Sequence, residues 1–304
     1  MASRTKGKEA ARERAAAMRA AEQRADRRRK VLLGVGGVGL VLLVVVILVV
    51  AKLAGAGGGD STTTASAGSS NLPASVSKAV TSVPAATLDK VGVGTASNPP
   101  KKIDAPALTA DGKPKVLYVG AEYCPFCAAQ RWPVVVALSR FGTWSGLTAT
   151  TSASDDTFPD TPTLSFHGAS YASDYLSFTG VETETNERGS NGSYGPLDKL
   201  SDADQKTFND FNKPPYVESS GGIPFLDIGG THVVTGASFS PELLKDKSKA
   251  AIAADIANPD SELGQAVGGS ANVLTAVICK QTDQQPANVC TSPGVKAAAA
   301  QLSS

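Results

Sequence analysis

Apolar residues are distributed along this chain in two textures. From Val31 to Ala51, "VLLGVGGVGLVLLVVVILVVA", 21 residues follow one another with no charge and no polar stripe. Beyond residue 76 they return only in short runs, at alternating or helical spacing. An unbroken apolar run of about 20 residues is what a single helix needs to span a bilayer. A cleavable signal peptide is the rival, because Ala54-Gly55-Ala56 has the form of a cleavage site; its apolar region, however, is normally roughly 7 to 15 residues. The expectation is a retained transmembrane anchor over residues 31–51.

The flanks of this run bury little. Residues 1–30 are rich in Ala, Arg and Glu, which form helices without an apolar stripe, so they read as a solvated or membrane-surface segment. Residues 52–75, with "AGAGGGDSTTTASAGSSNLPAS" at their centre, read as a flexible tether.

The body, residues 76–304, carries the periodic signals. "VSKAVTSV" suits a short amphipathic helix. Val116-Leu117-Tyr118-Val119, bounded by Pro114 and Gly120, predicts a strand buried on both faces. A helix is predicted from Cys124 to about Phe141, stopped by Gly142 and kinked at Pro133. Strands follow at "LTATTSAS", "TPTLSFHGASY" and, edge-like, "YLSFTGVETET". After a Gly/Asn/Ser loop at 189–195 comes a polar helix, "LDKLSDADQKTFNDFN". "IPFLDIGGTHVVTGASF" reads as two strands joined by Gly229-Gly230, and helices are predicted over roughly 240–257 and 261–281. These elements make a mixed sheet with helices packed on it, in one α/β domain.

Charge decides the topology. Of the 29 Lys/Arg and 28 Asp/Glu, residues 1–30 hold 11 and 4, leaving 18 and 24 for the rest. A mildly acidic body argues against nucleic acid as a partner. Arg27, Arg28, Arg29 and Lys30 abut the apolar run on one side, against Lys52 on the other. The positive-inside rule then puts the N-terminus in the cytoplasm and the body beyond the cell membrane, where disulfides persist.

Compartment gives meaning to "GAEYCPFCAAQRW", residues 120–132, which holds two of the four cysteines. Cys124 falls where the buried strand gives way to a helix, with Pro125 in the first helical position. Unpaired amides and the helix dipole there favour a thiolate, so Cys124 is expected to be exposed and nucleophilic, and Cys127, one turn on, deeper and resolving. A zinc site would need a second ligand pair, and Cys279 and Cys290, with ten residues between them, fit that poorly. No metal or cofactor signature emerges. A purely structural Cys124–Cys127 bridge is a further alternative. Cys279 and Cys290 read as a structural disulfide pinning the C-terminal tail, with a second redox pair as the alternative.

Among the neighbours, Glu122 reads as a surface loop carboxylate, with proton relay or a raised cysteine pKa as the alternatives, Arg131 as a solvated helix charge, with support of the thiolate as the alternative, and Trp132 as core or groove wall; Tyr123 and Phe126 flank the nucleophile. His167 alternates within a predicted strand and His232 sits by the hairpin turn, neither with a partner the sequence supplies. Asn191-Gly192-Ser193 has the glycosylation form and is equally a turn. Pro224 opens a strand after Gly221-Gly222, where an X-Pro bond can be cis; that would set the backbone of Ile223 beside the cysteines to bind an extended chain.

The strand–CxxC–helix corner with a later strand-opening proline resembles the thioredoxin superfamily. More closely, "LYVGAEYCPFCAAQRWPVVVALSRFG", "IPFLDIGG" and "ANVLTAVICKQTDQQPANVC" resemble the membrane-anchored thioredoxin-like family known as domain of unknown function 929, over about residues 76–294. The resemblance implies a thioredoxin-like fold and names no substrate. The 96 residues between Cys127 and Pro224 mark an insertion around 142–215, which shapes a groove or covers the sheet.

The expected function is a membrane-tethered, extracytoplasmic thiol–disulfide oxidoreductase acting on exported proteins with thiols or disulfides, in the oxidase direction, with a membrane quinone-linked partner to re-oxidise the pair. A reductase for one exported client and a non-catalytic binding module remain as alternatives.

Overall fold

The computed structural model describes residues 70–302. The segment 1–30, the apolar run 31–51 and the tether up to residue 69 lie outside the described residues. Among the described residues no helix is long and apolar enough to cross a membrane.

A mixed sheet forms the centre. Its strands run in the order β2 (Lys101–Lys102), β13 (His232–Thr235), β12 (Phe225–Ile228) and β4 (Lys113–Gly120), with β9 (Ser177–Glu182) beside β4 and the two-residue β3 (Thr109–Ala110) pairing with the start of β4. Every pairing is antiparallel except β4 with β9. Period-two alternation sends Val116, Tyr118, Leu226, Ile228 and Val234 into one core and Leu117, Val119, Phe225 and Val233 into another. This is why the run at 116–119 is apolar throughout: both of its faces are covered.

Two long helices pack on the first face. The CxxC helix α3 (Pro125–Leu138) lies against α6 (Glu262–Gln281), and both are buried over most of their length. On the second face sit Phe208 and Phe211 of α4 (Asp202–Phe211), Phe208 meeting Phe225 edge-on. The β12–β13 hairpin turns at Gly229 and Gly230, whose φ angles of 67° and 73° favour glycine.

Several expected elements are arranged differently. The segments at 147–154 and 161–171 form a small sheet of their own, β6 (Thr148–Thr151) with β7 (Pro162–Ser165), joined by the two-residue β1 (Ser70–Asn71). The second segment breaks at Gly168, φ 72°, and resumes as β8 (Ser170–Ser173), which pairs back to β5 (Gly142–Ser145). The edge-like strand is β9, followed by a hairpin of β10 (Glu184–Arg188) and β11 (Tyr194–Pro196) turning through Asn191-Gly192. The helix expected over 240–257 is a 3-10 turn (Pro241–Leu244), then α5 (Lys249–Ala257), separated by Asp246 at φ 58°. Ser248 caps α5 by accepting the Ala251 N–H.

The helix at the N-terminal edge is α1 (Ala74–Thr81), and three further helices were not foreseen: α2 (Ala85–Val91), α7 (Ala287–Cys290) and α8 (Pro293–Gln301). A disulfide links Cys279, near the end of α6, to Cys290 of α7.

Candidate functional site

The sequence before α3 puts a sulfur where a capping oxygen usually stands. Cys124 is the N-cap of α3, and its Sγ accepts the Cys127 N–H at 3.2 Å, a bond that other helices here obtain from serine. Pro125 takes the first helical position, where a missing N–H leaves no bond unmade. Both cysteines are free thiols.

Across from this corner the Ile223–Pro224 peptide bond is cis. The Ile223 carbonyl lies 3.9 Å from Cys124 Sγ and receives the Cys124 S–H when that group is protonated. The structure thus brings Cys124, Cys127 and Ile223 together although 96 residues separate Cys127 from Pro224. Pro224 is buried, and its own carbonyl accepts the Gly236 N–H.

The two sulfurs differ electrostatically. The hydrogen bond from the Cys127 thiol holds Cys124 below the ordinary thiol value against the opposing effect of burial, and the Cys127 amide, Arg131 and the Phe126 amide act in the same direction. Burial pushes Cys127 well up, reinforced by its bond to Cys124 and by the charge there. Of the two sulfurs, Cys124 is the one favoured as thiolate and Cys127 the one favoured as thiol.

Exposure differs from expectation. Cys124 keeps only 6% of its surface open, with Ile223 and its own helix turn closing over it, and Cys127 has none. The exposed neighbour is Phe126, at 43%. A cavity of about 470 Å³ opens beside it, lined by Phe126, Val217, Gly222, Ile223 and Thr235.

Three neighbours need correction. Arg131 is not a solvated charge: it is fully buried, with Nε 2.7 Å and Nη2 2.6 Å from the Glu182 carboxylate and Nη2 also donating to the Ala121 carbonyl at 2.9 Å. The reason is helical spacing, since Arg131 is four residues beyond Cys127 and shares its inward face. Burial opposes the Arg131 charge, but Glu182 beside it outweighs that and keeps it ionised. Glu122 is also buried, at 2%, because its loop folds under β10, its N–H donating to the Glu184 carbonyl. His167 sits in the turn after β7 rather than in a strand, and has a partner: its Nδ1 is 2.8 Å from Asp198. Trp132 is core, its Nε1 donating to the Pro162 carbonyl. His232 lies at the hairpin end, as its sequence position suggested, and burial with Lys280 and Lys102 nearby lowers it to about 4.

The insertion supplies residues that sequence reasoning missed. Phe158 meets Phe126 edge-on, and Tyr194 stacks on Tyr123 at 4.3 Å with the Arg188 guanidinium on the ring. The Tyr123 carbonyl also accepts the Ala153 N–H, so loops of the insertion hold the residues leading into Cys124. Buried Tyr118 stands on the strand before the corner, its hydroxyl raised well above the usual phenol value by burial. Only Glu182 left a trace in the sequence, the one charge in a strand that is otherwise uncharged, and its partner could not be read from that.

Among the described residues no group of three or more His, Cys, Asp or Glu side chains is placed to hold a metal ion. The Cys279–Cys290 bridge belongs to the helical layer and leaves Cys124 and Cys127 as the free pair.

None of the curated proteins and none of the solved structures compared with the chain matches it. The model of a family described as "Domain of unknown function (DUF929)" matches residues 99–194, so the chain is similar to that family over a span that takes in the cysteine corner and most of the insertion and stops short of Pro224.

Proposed function

We propose that this protein is a thiol–disulfide oxidoreductase of thioredoxin-like fold that oxidises exported proteins from a membrane tether. The observation that carries the reading is the pairing of Cys124, a helix-capping sulfur favoured as thiolate and facing the Ile223 carbonyl, with Cys127, a buried thiol one turn on.

The chemistry follows from that asymmetry. With the pair oxidised, a client thiolate attacks Cys124 Sγ, the Cys124–Cys127 bond breaks, and Cys127 leaves and takes up a proton. A second client thiolate then attacks the client sulfur of the mixed disulfide, and Cys124 leaves as thiolate. The client loses two electrons and the pair gains them; a quinone-linked membrane partner is the proposed acceptor that restores the disulfide. Stabilising the Cys124 thiolate stabilises the reduced pair, which makes the pair a stronger oxidant and favours the oxidase direction. The Ile223 backbone would position the client chain.

Location is part of the proposal. Residues 31–51 would anchor the chain with its N-terminus in the cytoplasm, and the Cys279–Cys290 disulfide suits an oxidising compartment.

The test compares the full chain with Cys124→Ser and Cys127→Ser in the oxidation of a reduced, unfolded substrate. Both variants should lose activity; in cells, Cys127→Ser should accumulate mixed disulfides with clients that already carry a disulfide, the Cys124 thiolate attacking that bond and one client sulfur leaving as a thiol. Equal rates for all three chains would leave a binding module, and a reduction potential as low as a cytosolic reductase, about −270 mV, would reverse the direction.

A further inference from the structure

At the other end of α3, two residues past Leu138, Arg140 is a cation short of a counter-charge. Its Nη1 donates to Asn272 Oδ1 at 2.9 Å and, weakly, to Thr275 Oγ1 at 3.5 Å, and its Nη2 to Ser292 Oγ at 3.1 Å. All three acceptors are neutral. The other two arginines among the described residues each meet a carboxylate, Arg131 at Glu182 and Arg188 at Asp155. Asp89 is the carboxylate whose field reaches Arg140, but its Oδ1 accepts the Gly294 N–H. Burial draws the Arg140 guanidinium down to about 10, with Asp89 only partly opposing it. A largely desolvated guanidinium held by neutral groups is costly, and a planar anion in bidentate contact would relieve that cost.

The space for such an anion is present. A cavity of about 330 Å³, at the lower end of the roughly 300–1,000 Å³ typical of small-molecule sites, is lined by Arg140 together with Val83, Ala85, Leu88, Val136 and Val289. The hydroxyls around it are already engaged: Thr81 donates to the Ser77 carbonyl, Ser82 to Lys78 and Ser139 to Val135. One charged donor with unused N–H groups therefore shares the cavity with the apolar side chains of Val83, Ala85, Leu88, Val136 and Val289 and with the Asn288 amide. That combination suits an anion with an apolar body better than a phosphate, whose hydration an apolar wall cannot replace.

We propose that this cavity binds a small monocarboxylate with an apolar tail, the carboxylate paired to Arg140 and the tail lying on Val83, Leu88, Val136 and Val289. The site lies among the α1–α2 turn, the end of α3 and the segment before Cys290, and is separate from the proposed redox chemistry.

Calorimetric titration of the full chain with hexanoate, hexanamide and inorganic phosphate tests this. Hexanoate should bind saturably at one site, with hexanamide and phosphate about tenfold weaker or worse. Arg140→Gln should weaken hexanoate about tenfold or more, without changing the rate at which Cys124 is alkylated. Ala85→Trp, placed at an exposed position on the cavity rim, should abolish binding while leaving the Arg140 hydrogen bonds in place. Should Arg140→Gln fail to fold, the Ala85→Trp result decides alone. Hexanamide binding as well as hexanoate, or hexanoate binding undiminished in Ala85→Trp, overturns the site; phosphate binding as tightly as hexanoate overturns the apolar tail.

Discussion

Arg131 and Glu182 meet in two hydrogen bonds, 2.7 and 2.6 Å, with neither side chain exposed to solvent. One belongs to the CxxC helix and the other to the last residue of β9, opposite Gly120 in the register. The pair thus ties the helix bearing the cysteines to the strand that the insertion adds beside β4. Removing one member leaves the other charge buried and alone, so Arg131→Met should cost about 3–5 kcal/mol in chemical denaturation. Arg131→Met combined with Glu182→Leu should recover most of that loss, because an apolar pair of similar size carries no desolvation cost. A double variant no more stable than Arg131→Met would show that the charges are not what matters there.

The same guanidinium favours the Cys124 thiolate, so a pH effect follows. Alkylation of the reduced chain by iodoacetamide should modify Cys124 first, with a midpoint below the ordinary thiol value of about 8.5. Cys127, pushed up by burial, should stay unlabelled at neutral pH. Because the folded state lowers the Cys124 value, its contribution to the stability of the reduced protein is fully present above about 8.5 and is lost as pH falls through the folded value. Denaturation of the reduced protein against Cys124→Ala across that range reads the sign; a difference that grows toward acid would contradict it.

Local chemistry was legible in the sequence where a short window decides the structure. The doubly buried strand at 116–119, the helix opening at Pro125 and the glycine turn at 229–230 each follow from adjacent residues. What escaped were relationships between distant residues. Arg131 reads as a surface charge until Glu182, 51 residues on, is folded against it. Glu122, Phe158 and Tyr194 likewise depend on how the insertion packs, and no periodicity encodes that. The helix expected over 240–257 failed for a different reason: the polar stretch Lys245-Asp246-Lys247-Ser248-Lys249 interrupts its apolar residues, and Asp246 within it takes a positive φ.

The Cys279–Cys290 bridge closes a short loop, 11 residues apart, at the end of α6. Loop-closure entropy for so short a span gives about 2–3 kcal/mol. Replacing both cysteines by serine should lower stability by that amount and leave Cys124 alkylation unchanged, since the bridge lies in the helical layer. A matching loss of Cys124 reactivity would mean that the C-terminal helices also shape the cysteine corner.

Phe126 lies between the two cysteines and is the large apolar side chain left exposed, at 43%, among the described residues. It meets Phe158 edge-on at 5.8 Å between ring centroids and lines the 470 Å³ cavity together with Ile223. In the proposed exchange a client chain would reach Cys124 past this ring, whereas a small alkylating reagent need not. Phe126→Ala should therefore slow disulfide exchange with a protein substrate by about threefold to tenfold, the value of one lost aromatic contact. Alkylation of Cys124 should keep its rate and pH midpoint, because the Phe126 amide remains. Stability should change little, as the ring is partly in water already. If the two reactions slow together, the ring acts on the sulfur itself and not on the client.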